Sequence, residues 1–356
     1  MNNKNSIKRK YRGRWIVLLT IAGLALIVYI ILGRLYPEQN KQARTRLRET
    51  VKAEFPEPVS HLQSRYGFKP SEDPVSAGGP IAGNIILVHG LDDPGKVWMN
   101  LSPELASHGF RFWIFSYPDD QPIAESAQFF FREIRSLKGN GVSSVAVIAH
   151  SMGGLVAREM LTNPAIQYED AADEGRAPVV STLIMIGTPN HGAELAPLRL
   201  FTEFRDQLAS MLEGDYVWIE GSADGAGEAG IDLEPGSLFL EELNGRPHPE
   251  NLDMFVIAGV MNPSAAGRID QAVERLAETL PESASESLSF LGNYLSIVVQ
   301  GQGDGLVSVD SARLDGYPLQ IVEGTHLSII RNISNHSERV PPAVPVILEH
   351  LKQQSF

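Results

Sequence analysis

The chain has 356 residues, no cysteine, 43% hydrophobic residues and a formal net charge of −13. That length admits one large domain or two ordinary ones, and the composition is globular, neither low-complexity nor fibrous. The lack of cysteine excludes a disulfide framework, thiolate metal sites and a cysteine nucleophile.

The charge is unevenly spread. Residues 1–53 hold twelve Lys/Arg and two Asp/Glu, which leaves 18 basic and 41 acidic residues for the rest, a net of −23. So acidic a body lacks the clustered cations that phosphate contacts need, and no nucleic-acid partner is expected. The basic end suits another use. After a basic tail over 1–14, residues 15–33 open with WIVLLTIAGLALIVYIIL, 18 residues without a charge. At about 1.5 Å per residue such a helix nearly crosses a hydrocarbon core of about 30 Å. Gly33-Arg34-Leu35 follows, not the small-residue triplet of a cleaved signal, so 15–33 is predicted to be an uncleaved transmembrane helix. Six cations and no acid precede it, which predicts the tail inside and the body outside the cytoplasm. Residues 34–75 are expected to form a stalk or linker. A polar helix over 38–54 within it is ended by Pro56 and Pro58.

The folded domain is expected over 76–356. Short apolar runs alternate there with longer amphipathic ones. NIILVH (84–89), FRFWIF (110–115), SVAVIA (144–149), STLIMIG (181–187), LDMFVIAG (252–259), YLSIVV (294–299) and PLQIV (318–322) read as strands. Most are apolar throughout, as strands buried on both faces are. Helices are expected around 98–108, 122–138, 153–163, 266–280 and 339–352. Strand–helix alternation implies an α/β fold with a mostly parallel sheet flanked by helices. Ligands then bind beyond the carboxyl ends of the strands.

Three strand ends carry chemistry. VHGL ends the first run, and its glycine lets the Leu91 amide turn back toward the sheet edge. AHSMGG ends the third, and places Ser151 in a strand-to-helix turn above free helix N–H groups. The Leu91 and Met152 amides together would form an oxyanion hole. The usual pattern is G-x-S-x-G, and Ala149 stands where its first glycine belongs; a methyl is a mild departure. GQGDGLVSVD (301–310) follows YLSIVV and holds Asp304, while THL after PLQIV holds His326. A serine nucleophile needs a base, and the base needs an acid to orient it. Simpler readings stand beside these. Ser151 could be a helix cap, and Asp304 a turn-forming Asp-Gly with Asp310 and Asp315 as rivals. Among nine histidines His326 is preferred because it follows the last strand-like run, while His89 and His150 read as packing residues and His191 as a loop residue. Asp92 and Asp93 read as a solvated loop, since no third metal ligand is near them.

From about 84 to 335 the chain resembles an α/β-hydrolase of the bacterial lipase and esterase branch. VHGL, AHSMGG, IGTPNHGAELA (186–196), DGLVSVDSARL (304–314) and THL carry the resemblance. It implies Ser151 as nucleophile, His326 as general base then acid, Asp304 as its partner, and Leu91 and Met152 as oxyanion donors. It implies no cofactor. Ser328 stands where several such lipases have a calcium-binding aspartate, so no metal is expected. The stretch of about 190–250 is too long for a plain connection and reads as a lid or cap insertion. Within it 201–212 is expected to form an amphipathic helix, and the acidic, glycine-rich 220–236 a mobile loop. Trp98, Leu195 and Trp218 are candidates for an apolar acyl pocket, and each could equally be core. The implied protein is a serine ester hydrolase acting on an ester or lipid substrate, anchored as a single-pass protein in a bacterial inner membrane. A lipid acyltransferase or phospholipase would use the same residues. A non-catalytic envelope scaffold would keep the fold alone.

Overall fold

The computed structural model of the chain describes residues 36–54, 65–70, 81–91, 95–193, 227–261, 303–332 and 337–354. The tail 1–14, the apolar segment 15–33, the amphipathic stretch 201–212, the helix expected over 266–280 and the strand expected over 294–299 lie outside them. Among the described residues no helix is long and apolar enough to cross a membrane.

Seven strands form one sheet: β1 (Gly67–Pro70), β2 (Gly83–Val88), β3 (Phe110–Ser116), β4 (Ser144–His150), β5 (Val179–Ile186), β6 (Asp253–Val260) and β7 (Leu319–Glu323). The order is β1-β3-β2-β4-β5-β6-β7, with β1 antiparallel to β3 and every other pair parallel. Six of the strands expected from their apolar runs are therefore present. β2 and β4 are buried along nearly their whole length, which is why those runs do not alternate. β1 was not anticipated. It is a four-residue edge strand ending in Pro70, a residue suited to an edge because it has no N–H to donate. Phe68 anchors it, with its ring 5.6 Å from Phe115 and 6.4 Å from Phe130.

Helices cover both faces. On one side α2 (Leu101–Ser107) and α9 (Ala343–Gln353) bury Leu101, Leu105, Ile347 and Leu351 against Ile85, Ile148 and Ile186. On the other, α3 (Ile123–Gly139), α4 (Met152–Thr162), α5 (Tyr168–Asp173), α6 (Glu228–Asp232), α7 (Leu238–Asn244) and α8 (Val309–Ala312) pack on Val88, Val147 and Met185. The spacing Ile123, Ala127, Phe130, Ile134, Leu137 puts one stripe of α3 into this layer.

The polar helix expected over 38–54 is present as α1 (Pro37–Glu54), and it is docked on the domain rather than standing free. Its Arg48 is wholly buried. The guanidinium grips both oxygens of Glu125 (2.7 and 2.8 Å), donates to Gln121 Oε1 (3.1 Å) and lies 3.5 Å from Glu228 Oε1. Thr45 Oγ1 donates to Glu228 at 2.7 Å, and Lys41 pairs with Asp232. Glu228 and Asp232 are four residues apart on α6, hence on one face. Asp232 has a second task. Pro122 gives α3 no side-chain cap, and Asp232 Oδ2 accepts the Ile123 N–H at 2.9 Å instead. Residues 227–236, expected to be mobile, thus include a buried helix whose carboxylates tie α1 to α3.

Removing the cation while leaving Glu228 buried costs far more than a surface pair would. Arg48→Met is expected to destabilise the full-length chain by about 3–5 kcal/mol in urea denaturation, and adding Glu228→Gln to restore part of that. A single-variant loss below about 1 kcal/mol, comparable to an exposed pair, would show that the docking is energetically idle.

Candidate active site

The parallel register brings the strand ends to one edge. Val88 pairs with Ala149, His150 with Ile186, and Ile186 with Ile257. The ladder runs one bond further on each side, with Ser151 N–H to Ile186 O and Gly187 N–H to Ile257 O, both 2.8 Å. The residues that follow these strands are the ones singled out in the sequence.

Ser151 sits between β4 and α4 with φ 54° and ψ −130°. Only one other non-glycine residue among those described has a positive φ, Gln167, and it lies in the ordinary left-handed region. Ser151's conformation is sparsely populated, at a cost of about 1–3 kcal/mol. It leaves Ser151 partly accessible at the start of α4, where Gly154 N–H closes the first turn on Ser151 O at 3.1 Å and a helix's earlier amides lack an intrahelical acceptor. Met152 opens that helix and is buried; Leu91 follows Gly90, where a Cβ would stand 2.6 Å from Ser151 Cβ. The expected need for small residues around the serine is met two positions on. A Cβ on Gly153 would stand 2.5 Å from the carbonyl oxygens of both Val88 and His89, so strand and helix could not approach as they do.

His326 and Asp304 come together at the neighbouring strand ends. His326 Nδ1 lies 2.7 Å from Asp304 Oδ2, and both side chains are buried. The other carboxylate oxygen accepts the amides of Leu306 (2.9 Å) and Val307 (2.8 Å), so the carboxylate is fixed in rotation. Backbone joins the pair again, His326 N–H to Asp304 O at 2.8 Å. Gly187, at φ 57°, makes room for them: a side chain there would begin 3.1 Å from Asp304 Oδ2 and from His326 Cε1 and Nδ1. The rival aspartates, Asp310 and Asp315, are exposed. Ser328 closes the turn after His326, its Oγ accepting the Thr325 N–H at 2.8 Å.

The two histidines read as packing residues are buried beside the serine. His89 stacks on Tyr117 (4.5 Å, 23°), and Tyr117 Oη donates to the His89 carbonyl at 2.7 Å. Burial, and then Asp119, push the Tyr117 phenol well above its usual range, which keeps it a donor. His150 Nε2 lies 3.0 Å from the His326 carbonyl oxygen. Trp98, proposed for the acyl pocket, is wholly enclosed in the core layer of α2 and α9. Leu195, Trp218, Asp92 and Asp93 lie outside the described residues.

Beneath the site runs a polar network that the sequence did not disclose. Arg158 of α4 is fully buried; its Nη1 donates to Asn190 Oδ1 (2.9 Å) and its Nε to His248 Nε2 (3.1 Å). Asn190 Nδ2 reaches the Ala312 carbonyl at 2.7 Å, and the Tyr317 hydroxyl lies 3.2 Å from His248 Nδ1. In IGTPNHG the knitting residue is therefore Asn190, whereas His191 stays exposed. Burial and then Arg246 bring Arg158 down to about 10, and burial and then Arg158 bring His248 down to about 4.

Residues 85–327, about two thirds of the chain, match the family described as the alpha/beta hydrolase family. Triacylglycerol lipases of Pseudarthrobacter phenanthrenivorans and Burkholderia plantarii are each 31% identical over 123 residues. That stretch is 32% of this chain and 34% and 31% of theirs, so the match spans about a third of those proteins. The mature form of the Bacillus licheniformis lipase BlEst2 is similar in fold, with a TM-score of 0.50 and 20% identity over 80% of this chain and 96% of that one.

His248 makes stability depend on pH. Below the ordinary imidazole value of 6.5 the unfolded chain takes up a proton that the folded chain refuses until about pH 4. Stability should therefore rise with pH across that window and be indifferent to this group above it. His150, also held low by burial, acts in the same sense. Urea midpoints between pH 4.5 and 7.5 should fall toward acid, less steeply in His248→Gln. An unchanged slope in that variant would remove His248 from the account.

Proposed function

The chain belongs to the alpha/beta hydrolase family, and from that premise we propose that it is a serine hydrolase of carboxylic esters, of lipase or esterase type, working through an acyl-enzyme. One observation carries the reading: Ser151 is held strained at a strand-to-helix turn, and the hydrogen-bonded pair Asp304–His326 flanks the strand end to which the Ser151 amide is bonded. In the proposed reaction Ser151 Oγ attacks the ester carbonyl carbon while His326 Nε2 takes its proton. The carbonyl oxygen becomes an oxyanion held by the amides of Leu91 and Met152. As the intermediate collapses, the C–O bond to the alcohol breaks and His326 returns the proton to the leaving oxygen. Water then attacks the acyl-enzyme with His326 again as base, releasing the acid and Ser151. Asp304, fixed by two amides, keeps the proton on Nδ1 and stabilises the imidazolium.

We further propose that residues 15–33 anchor the enzyme in a bilayer with the catalytic domain outside the cytoplasm, as in a bacterial inner membrane. The uncharged run and the cations before it support this. The insertion of about 190–250 is read as a cap, and an anchored, capped site suits lipidic or other apolar esters. The naming of both matched relatives as triacylglycerol lipases supports the same substrate class.

Full-length protein in lipid, assayed on p-nitrophenyl esters of two to sixteen carbons, should be active. Ser151→Ala should lose activity by at least about 10³-fold, and Asp304→Asn by about 10³–10⁴-fold. A chain-length optimum would separate esterase from lipase. Acyl transfer outpacing hydrolysis in excess alcohol would favour the acyltransferase alternative. Folded parent protein that neither turns over any ester nor reacts with a fluorophosphonate would leave a scaffold.

A further inference from the structure

His150 has no task in the reaction above, yet it is buried between the two residues that do most of the work. It precedes Ser151 in the chain, and its ring centroid lies 4.7 Å from that of His326, tilted by 48°. Its Nε2 is 3.0 Å from the His326 carbonyl oxygen. A carbonyl oxygen can only accept, so Nε2 carries the hydrogen. His150 Nδ1 is buried and has no hydrogen-bond partner among the described residues, which leaves a neutral, singly protonated ring. Burial first, then the charges of His326, Arg331 and His89, disfavour a second proton and outweigh the bond to the His326 carbonyl, which favours it.

His326 lies on a surface turn between exposed Thr325 and exposed Leu327, closed by Ile329 N–H to Thr325 O (3.0 Å) and Thr325 N–H to Ser328 Oγ (2.8 Å), and the turn alone does not engage the His326 side chain or its carbonyl. Three bonds hold His326. Two run to Asp304, from the backbone N–H (2.8 Å) and from Nδ1 (2.7 Å). Neither of them reaches the peptide after His326. The third, from His150, takes hold of that peptide's oxygen, and the imidazole face closes the space beside the His326 ring. We propose that His150 is a positioning residue, which by donating Nε2–H to the His326 carbonyl and packing against its ring fixes His326 for its two proton transfers. This rests on the reading of His326 as the general base. It also gives the ring a reason to stay uncharged: an imidazolium at 150 would oppose the imidazolium that forms on His326 during turnover.

The test compares His150→Gln, which keeps a neutral donor of similar reach, with His150→Phe, which keeps a ring and loses the donor. In the full-length protein His150→Phe should lower kcat about 10- to 100-fold with KM changed less than about threefold, since loss of alignment acts on the reaction step. His150→Gln should recover most of that loss. A second readout is independent of turnover: the far-downfield proton resonance of the His326–Asp304 hydrogen bond should exchange faster in His150→Phe than in the parent and regain protection in His150→Gln. Equal protection and equal kcat in all three would overturn the proposal. A parent that turns over no ester would defeat the reading of the site, while the resonance would still decide whether His150 fixes His326. If His150→Phe does not fold, His150→Asn, whose shorter amide falls short of the carbonyl, replaces it against His150→Gln with the same expectations.

Discussion

Everything at this edge of the molecule is arranged around one strained residue. Ser151 holds φ 54° and ψ −130° because its surroundings leave it no alternative. Its amide is spent on Ile186 O, a Cβ at Gly90 would stand 2.6 Å from its own, and the helix it starts lies so close to β2 that a Cβ at Gly153 would meet two backbone carbonyls. A relaxed turn would lift α4 off the sheet and open the layer that Met152, Leu155 and Val156 fill. The free energy of that burial far exceeds the strain of one residue. Strand register is tied to the same point: only with β2, β4, β5 and β6 ending level do Gly90, Ser151, Gly187 and Asp304 converge.

The interior next to this edge is polar, and it is organised by position rather than by charge neutrality. Asp304 is satisfied by backbone amides and one imidazole. Arg158 faces an amide and a neutral imidazole, and no carboxylate directly hydrogen-bonds it among the bonds described. Buried groups of this kind cost desolvation and return directionality. They link α4, the loop after β5 and the segment around Tyr317, the three pieces that carry or border Ser151, Gly187 and Asp304.

Much of this was legible beforehand, for identifiable reasons. The core strands announce themselves because both faces are buried, so their sequences are unbroken apolar runs. The site residues follow because parallel strands put their ends together. Asp304 is preferred to Asp310 and Asp315 from its place past a strand-like run, and the 2.7 Å contact to His326 sets it apart from those two exposed residues. β1 escaped because four residues with one apolar anchor, Phe68, make no period. The docking of α1 escaped for a deeper reason. A polar helix that buries Arg48 looks solvated from its own sequence, and the carboxylates that receive it, Glu125 and Glu228, lie 77 and 180 positions away along the numbering. Pattern shows a charge and not its partner, so complementary polar helices read as a stalk and a mobile loop. Trp98 illustrates the converse: an aromatic residue near a site carries no mark of which side of the sheet it enters.

The attachment of α1 bears on how this protein meets its substrate. A domain hung on a floppy tether sweeps a hemisphere and faces the surface only part of the time. Here the first residue of a helix welded to the domain is Pro37, four positions past the end of the proposed anchor at 33. Four residues span at most about 14 Å. Were the proposed anchor in place, so short a connection would hold the body close above the bilayer. For an ester dissolved in that bilayer, diffusion would then become a two-dimensional search, with the local concentration set by lipid content rather than by the surrounding volume. Catalysis on such a substrate would be governed by lateral encounter, and affinity for the ester in water would matter little.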